Sequence, residues 1–277
     1  MGLPDVGMGA GAALLAADEE LHHELRAIGW APTLQRVLAS DPRSGEVHRI
    51  FDLLVAQAVD VRAVVDRGAF PLVLAGGCIS ATGTVAGAAA SAPPDAPIGV
   101  VWLDAHADLD TPEDNLSGSM DVMALSILTG GAWGALRATI PDARTVAEEH
   151  VALLGVRDLS AGQAARVARS TARVASGAFD ADAARAAIAT LPPALYLHVD
   201  LDVLDTSVGR ANRYAAPGGP TLETVLATVD AAFAHGHVLA AALTAYEPQS
   251  DKHRTIMGAA RTIAARIATR ALAQRGD

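Results

Sequence analysis

Ile98-Gly99-Val100-Val101-Trp102-Leu103 runs without a break into Asp104-Ala105-His106-Ala107-Asp108. An unbroken apolar run of this length is the pattern of a strand covered on both faces in a parallel sheet. Four further runs repeat it: Pro71–Ala75, Val151–Val156, Ala194–Val199 and Val238–Thr244. Between them the sequence predicts helices over Val47–Arg67, Ser80–Ala90, Met120–Thr129, Ala161–Ser170, Ala181–Ala189, Thr221–Ala234 and Thr255–Gln274. Alternating strands and helices predict an α/β fold with three α/β/α layers and a mostly parallel sheet. No repeat, low-complexity tail or Pro/Ser-rich linker interrupts the pattern, so residues 1–277 read as a single domain. In such folds ligands gather at the C-terminal ends of the strands, so the polar residues that finish strands are the candidates for function.

Asp104, His106 and Asp108 sit at i, i+2 and i+4, and point to one side as long as the chain stays extended. The fourth run ends in the same way, in His198-Val199-Asp200-Leu201-Asp202-Val203-Leu204-Asp205, with Asp200 and Asp202 on a shared face. Carboxylates at the ends of buried strands are costly unless they are paired or bound to a metal. Helix caps and turn aspartates are the plain alternative. Two such runs at two strand ends point instead to a divalent cation. Carboxylates with an imidazole suit Mn2+ better than the thiolate-rich zinc class, and four carboxylates can hold two ions. The lone cysteine follows the first run, in Leu74-Ala75-Gly76-Gly77-Cys78, where the glycine pair predicts a tight turn into a helix. Cys78 there reads either as a small buried hydrophobe or as a ligand from a third strand end.

The formal charge of −10 argues against nucleic acid or an anionic membrane surface as the main partner, since both are recognised through clustered Lys and Arg. One cysteine excludes an intramolecular disulfide framework, which makes the cytoplasm the expected compartment. No stretch reaches about 18 uncharged apolar residues, and Met1-Gly2-Leu3-Pro4-Asp5 has no basic segment leading an apolar one.

Taken together, these motifs resemble the ureohydrolase superfamily of arginases, agmatinases and formiminoglutamases. The family's Asp-Ala-His-x-Asp is Asp104–Asp108 unaltered, its x-Asp-x-Asp-x-x-Asp-Pro is similar to the run from Asp200 to Thr206, and its Gly-Gly-Asp-His looks like Gly76-Gly77-Cys78. The resemblance implies an open arginase-like α/β fold and two Mn2+ ions bridged by a hydroxide, one of them labile. It carries metal-ligand roles onto Cys78, Asp104, His106, Asp108, Asp200 and Asp202. Cys78 stands where most members have histidine. That swap, together with His198, resembles the branch containing the Nω-hydroxyarginine hydrolase of cycloserine biosynthesis. His198 itself reads as a histidine satisfied behind the ligands, and His22, His23, His235 and His237 read as surface residues. Members are commonly trimers or hexamers, so a homo-oligomer is expected, with the Thr255–Gln274 helix as a candidate for its contacts. Members also begin with a strand ahead of Gly2-Leu3-Pro4-Asp5-Val6-Gly7, and the resemblance implies that this strand is missing here or that the start is late.

The departures fall on the substrate side. Ser117 is kept, while Asp110 and Ser119 replace two asparagines that arginases use on the substrate carboxylate, and Asp121 replaces a proton-shuttling histidine. Ser160 falls where an aspartate grips the substrate amine, and Ala245 stands in for the glutamate that pairs the guanidinium, with Glu247 two residues on. A carboxylate at Asp110 repels an α-carboxylate, so plain arginine is a poor substrate, and Asp121 or Glu247 is left to supply a replacement anion. The expected activity is metal-dependent hydrolysis of a C–N bond in a guanidine, hydroxyguanidine or amidine. Asp108 and Asp121 are the candidates for proton transfer, although an acidic residue at a helix start explains Asp121 as well. The rival reading is a metal-binding pseudoenzyme or regulatory subunit that has lost this activity.

Overall fold

The computed structural model describes residues 7–37, 45–115 and 117–276. The strands are β1 (Leu72–Leu74), β2 (Ile98–Leu103), β3 (Val151–Leu154), β4 (Arg173–Ala175), β5 (Ala194–Asp200) and β6 (His237–Thr244). The helices are α1 (Met8–Ala16), α2 (Glu19–Ala27), α3 (Glu46–Asp66), α4 (Ser80–Ala88), α5 (Ala124–Thr129), α6 (Gly134–Arg137), α7 (Ala161–Arg169), α8 (Ala181–Ile188), α9 (Leu222–His235) and α10 (Thr255–Gly276). All five expected strands and all seven expected helices form. The Met120–Thr129 stretch divides into a 3-10 turn, Asp121–Met123, followed by α5. Four elements escape the sequence reading. The edge strand β4 is three largely exposed residues, α6 is one turn, α1 is an Ala/Gly run, and α2 buries only Leu21 and Leu25. None of these carries a periodic apolar face long enough to be read.

The sheet is wholly parallel, in the order β1-β6-β5-β2-β3-β4. Alternate residues of each strand feed two separate cores. Val101, Leu103, Ala152, Leu154, Leu195, Leu197 and Val199 join the side chains of α1, α2, α8, α9 and α10. Val100, Trp102, Val151, Leu153 and Tyr196 join those of α3, α4 and α5. The apolar stripe of α10, from Ile256 through Ile263 and Ile267 to Ala271, is buried in the first of these cores. Core packing therefore accounts for the stripe that made this helix a candidate for oligomer contacts. The segment Gly2–Gly7 lies outside the described residues except for Gly7. Among the described residues no helix is long and apolar enough to cross a membrane.

Helices α3 and α4 pack closely because Gly83 and Gly87 lie one turn apart on α4. A Cβ on Gly87 would lie 2.4 Å from the Ala58 carbonyl oxygen and 2.7 Å from Val61 Cβ, so the two helices would have to separate. Gly87→Ala is expected to lower stability by about 1–3 kcal/mol through this overpacking, read as an earlier urea midpoint.

The strand order sets the place of the site. From β2 the chain moves outward through β3 and β4, then returns to lay β5 on the other side of β2 and β6 beyond it. Neighbouring strands whose connections leave in opposite directions open a crevice at their C-terminal ends. Here that crevice lies between Asp104, which follows β2, and Asp200, which ends β5.

Candidate metal centre

Strand β2 ends at Leu103, and Asp104–Asp108 is loop rather than extended chain. Asp108 has φ 51°, in the left-handed region. The i, i+2, i+4 reading is therefore corrected in its cause: the three side chains converge because the loop turns, not because a strand alternates. The turn is held from inside, since the His106 N–H donates to Asp104 Oδ1 at 2.7 Å. The Asp108 carbonyl accepts from Leu125 N at 3.0 Å and Ser126 N at 3.1 Å. At the end of β5, Asp202 likewise lies in a 3-10 turn, and its N–H donates to Asp200 Oδ1 at 2.8 Å. The two loops are tied together by Ala105 N, which donates to Asp202 Oδ1 at 3.3 Å.

Six predicted ligands meet in this crevice. His106 Nδ1 lies 3.3 Å from Asp104 Oδ1 and 3.4 Å from Asp202 Oδ2. Cys78, on the turn between β1 and α4, places Sγ 2.9 Å from Asp200 Oδ2, 3.9 Å from Asp104 Oδ2 and 3.3 Å from Thr244 Oγ1. Asp104, Asp108, Asp200, Asp202 and Cys78 are all buried. Burial and the nearby Asp202 charge push the Asp104 carboxyl up to about 6, against the opposing pull of His106. Burial first, and then the neighbouring carboxylates, push Asp108 and Asp200 well above the usual carboxylate range. Burial opposes a charge on Asp202 too, but the His106 imidazolium and the Asn212 amide outweigh it and hold its carboxyl low.

This donor set fits a divalent cation. Asp108 Oδ2 is buried with no hydrogen-bond partner, and the carboxyls around it are held against their charged state by one another. A dication satisfies both conditions. Two groups place their ligand atoms within 4.8 Å of one another: Cys78, Asp104 and His198, and Asp104, His106 and Asp202.

The residues expected on the substrate side meet mixed outcomes. Asp121 lies against the turn that carries Cys78: it accepts from Ile79 N at 3.2 Å and abuts Gly77, where any Cβ would strike its carboxylate. It also opens its own 3-10 turn, the helix-start position expected of an acidic residue. Asp110 is buried and its Oδ2 accepts from Gln163 Nε2 at 3.0 Å. Ser117 is exposed and Ser119 half-buried, on a loop where Ser117 Oγ donates to Asn115 Oδ1 at 2.7 Å. Ser160 is the N-cap of α7 in a capping box with Gln163, its hydroxyl accepting from Gln163 N at 3.3 Å. Glu247 is buried and paired with Arg213, with Nη2 2.6 Å and Nε 3.1 Å from Oε1, and with Ser250 Oγ, which donates to Oε2 at 2.6 Å. Ala245, at the expected guanidinium position, has φ 62° and turns its carbonyl to accept from Asn212 Nδ2 at 3.1 Å. Of the histidines expected at the surface, His237 is exposed but opens β6, and His235 is half-buried with Nε2 2.9 Å from the Leu191 carbonyl.

Three supporting residues escape the sequence reading. Asn212 donates to Asp202 Oδ2 at 3.0 Å, and Trp102 Nε1 donates to Asp104 Oδ2 at 3.1 Å. Arg157 grips the carbonyls of Gly155 at 2.9 Å, Asp202 at 2.9 Å and Ala216 at 2.9 Å. The strand-end rule points to Arg157, which follows β3, but nothing local shows what a lone arginine will hold.

Asp205, the last acid of its motif, is an anchor. Its carboxylate accepts from Ser207 N at 2.8 Å, Gly218 N at 2.6 Å and Gly219 N at 3.0 Å, closing the loop that carries Asn212. These bonds, those of Ser207 foremost, hold its carboxyl well below the usual range. A folded-state value below the unfolded one gives stability that is complete at neutral pH and lost as the pH falls below about 4. Asp205→Asn is expected to cost about 1 kcal/mol at neutral pH. Urea unfolding should show the gap to wild type narrowing steadily in acid.

An open parallel α/β sheet with a carboxylate-rich candidate cation site at its strand ends defines the class: an α/β protein of the doubly wound type. Comparison narrows it. A sequence profile of the arginase family matches residues 23–269, and the chain belongs to that family. The Bacillus caldovelox arginase is 34% identical over 155 residues, 55% of this chain and 51% of that protein. The Staphylococcus aureus (strain COL) arginase is 36% identical over 104 residues, 38% of this chain and 33% of that protein. The matched stretches thus span about half the length of these curated relatives or less. In fold, the chain is similar to the arginase of Bacillus cereus, with TM-score 0.80 at 22% identity over 94% of this chain and 91% of that one. It is also similar to the Entamoeba histolytica arginase in complex with L-ornithine, with TM-score 0.76 at 19% identity over 96% and 94% of the two chains. A hypothetical agmatinase from Burkholderia thailandensis follows, with TM-score 0.61 at 18% identity over 83% and 68%.

Proposed function

We propose that the chain is a metal-dependent hydrolase that cleaves a C–N bond in a guanidine, hydroxyguanidine or amidine. The observation that carries this reading is the convergence of Asp104, His106, Asp108, Asp200, Asp202 and Cys78 in one crevice, with a buried carboxylate oxygen of Asp108 left unpartnered. Two divalent cations, manganese by family resemblance, would supply Lewis acidity there and make water a usable nucleophile at neutral pH.

The chain's own residues have separate tasks. Asp108 offers Oδ2 as acceptor for a proton of the attacking water, and its raised affinity for protons suits it to pass that proton to the leaving amine. Asp121, packed against Gly77 and Ile79, is a second station for the proton. His106, pushed up to about 12 by the neighbouring Asp202 and Asp104 in the metal-free protein, must lose its proton before it can ligate. Asp110 sets the substrate class: buried and held by Gln163, it disfavours an α-carboxylate and favours a cationic or neutral end group. Ser117 and Ser119 lie on the same loop and are the candidate contacts for that end. The homo-oligomer expected from the resemblance belongs to this reading, and sedimentation checks it.

The test is urea or ammonia release from a panel of guanidines, hydroxyguanidines, amidines and arginine, with manganese occupancy verified. Turnover of a non-arginine member is expected. Full occupancy without turnover of any member supports the pseudoenzyme instead.

A further inference from the structure

We propose that the metal centre has two chemically unlike halves: Cys78 and His198, with Asp104, form a sulfur- and nitrogen-bearing half that takes a softer divalent ion such as zinc or cobalt ahead of manganese, beside the half formed by Asp104, His106 and Asp202. This rests on the metal-dependent reading above.

His198 is the residue that sets this half apart. It is fully buried, and its ligand atom lies within 4.8 Å of those of Cys78 and Asp104. Its Nδ1 faces the Tyr196 hydroxyl at 2.9 Å. His198 Nε2 meets Thr244 Oγ1 at 3.4 Å, long for such a bond. A ring anchored at one nitrogen by a short hydrogen bond, with only a long contact at the other, is the arrangement of a metal-ligating histidine.

The surroundings hold the ring in this role. Trp102 stacks on it at 3.8 Å with 12° between the planes, and the same indole donates to Asp104 Oδ2 at 3.1 Å. One side chain thus fixes two of the three donors. A second, independent sign of a ligand is Asp108, buried with Oδ2 unpartnered in the loop that begins at Asp104. Thiolate and neutral imidazole favour zinc, cobalt or iron(II) over manganese, whereas carboxylate oxygens discriminate less.

Cobalt(II) titration of the full chain tests this without any turnover assay. Cys78 is the only cysteine, so a sulfur-to-cobalt charge-transfer band in the near ultraviolet can arise from no other residue. The band is expected in wild type and in Asp202→Asn, and is expected to vanish in Cys78→Ser. His198→Gln should weaken the cobalt affinity of this half by at least about 10-fold. The preference for zinc over manganese, read by competition against cobalt, should narrow by at least about 10-fold in Cys78→Ser. X-ray absorption of the cobalt-loaded wild type reads the sulfur neighbour directly and needs no variant to fold. Cobalt bound to saturation without the band or the sulfur neighbour overturns the proposal while leaving the metal-dependent reading intact. Unchanged affinity in His198→Gln, or an unchanged zinc preference in Cys78→Ser, also overturns it. Failure of the wild type to bind cobalt, zinc or manganese overturns both.

Discussion

Asp108→Asn is expected to slow turnover by roughly 10^2- to 10^4-fold while raising the melting temperature of the metal-free protein. The two effects have one cause. Asp108 Oδ2 is buried without a partner, and burial together with the charge on Asp104 disfavours its carboxylate form. Without a metal this group is a liability, and a neutral amide of the same shape removes it. Asparagine tolerates the left-handed backbone better than most residues, so φ 51° is not an obstacle. The carbonyl of residue 108, which accepts from Leu125 and Ser126, is untouched by the change. What asparagine cannot do is accept and return a proton. Calorimetry of the metal-free variant and rates at verified metal occupancy check the pair of effects. A lower melting temperature would show that the carboxyl is a structural bond, and an unchanged rate would remove it from proton transfer.

Arg157→Met is expected to destabilise the protein by at least about 3 kcal/mol, through carbonyls rather than through charge pairing. The guanidinium is half-buried and reaches Gly155, Asp202, Leu204, Ala216 and Pro217 oxygens. Hydrogen bonds from a charged donor contribute about 1.5–3 kcal/mol each, and a carbonyl left without its donor costs more than the bond itself contributed. The losses are not additive, because the loops relax together. Arg157→Lys should rescue only partly, since an ammonium cannot reproduce the planar fork that spans these carbonyls. The same guanidinium fixes the backbone at Asp202, so metal affinity should fall with stability. Urea midpoints together with metal titration on both variants measure this. A variant that keeps wild-type stability would show that water can replace the guanidinium.

How far the sequence reading reached can be argued from particular residues. The five apolar runs predicted their strands correctly because a strand buried on both faces must be apolar at every position, a requirement visible in one dimension. Asp104, His106, Asp108, Asp200 and Asp202 were legible for a related reason: acids at the ends of such runs have no cheap structural explanation. The ion pair of Glu247 and the capping box of Ser160 went unread for different reasons. Arg213 is distant in sequence from Glu247, and nothing near Glu247 shows that a guanidinium will meet it. Ser160 was read from alignment to a substrate position, while Ser160 and Gln163 have the spacing of a capping box, a local signal.

By itself, then, the sequence determined the parallel α/β class, the strand-end location of the candidate site and the acidic residues that gather there. These follow from local periodicity and from the cost of burying charge. The tertiary structure alone decided that β5 returns beside β2, so that two acidic loops face each other across one crevice. It also decided that His198, in the interior of β5, stands against Trp102, Tyr196 and Thr244 with its ring held in place. The physical reason is that hydrogen bonds and stacking act over a few ångströms in space, between strands whose order the chain does not state.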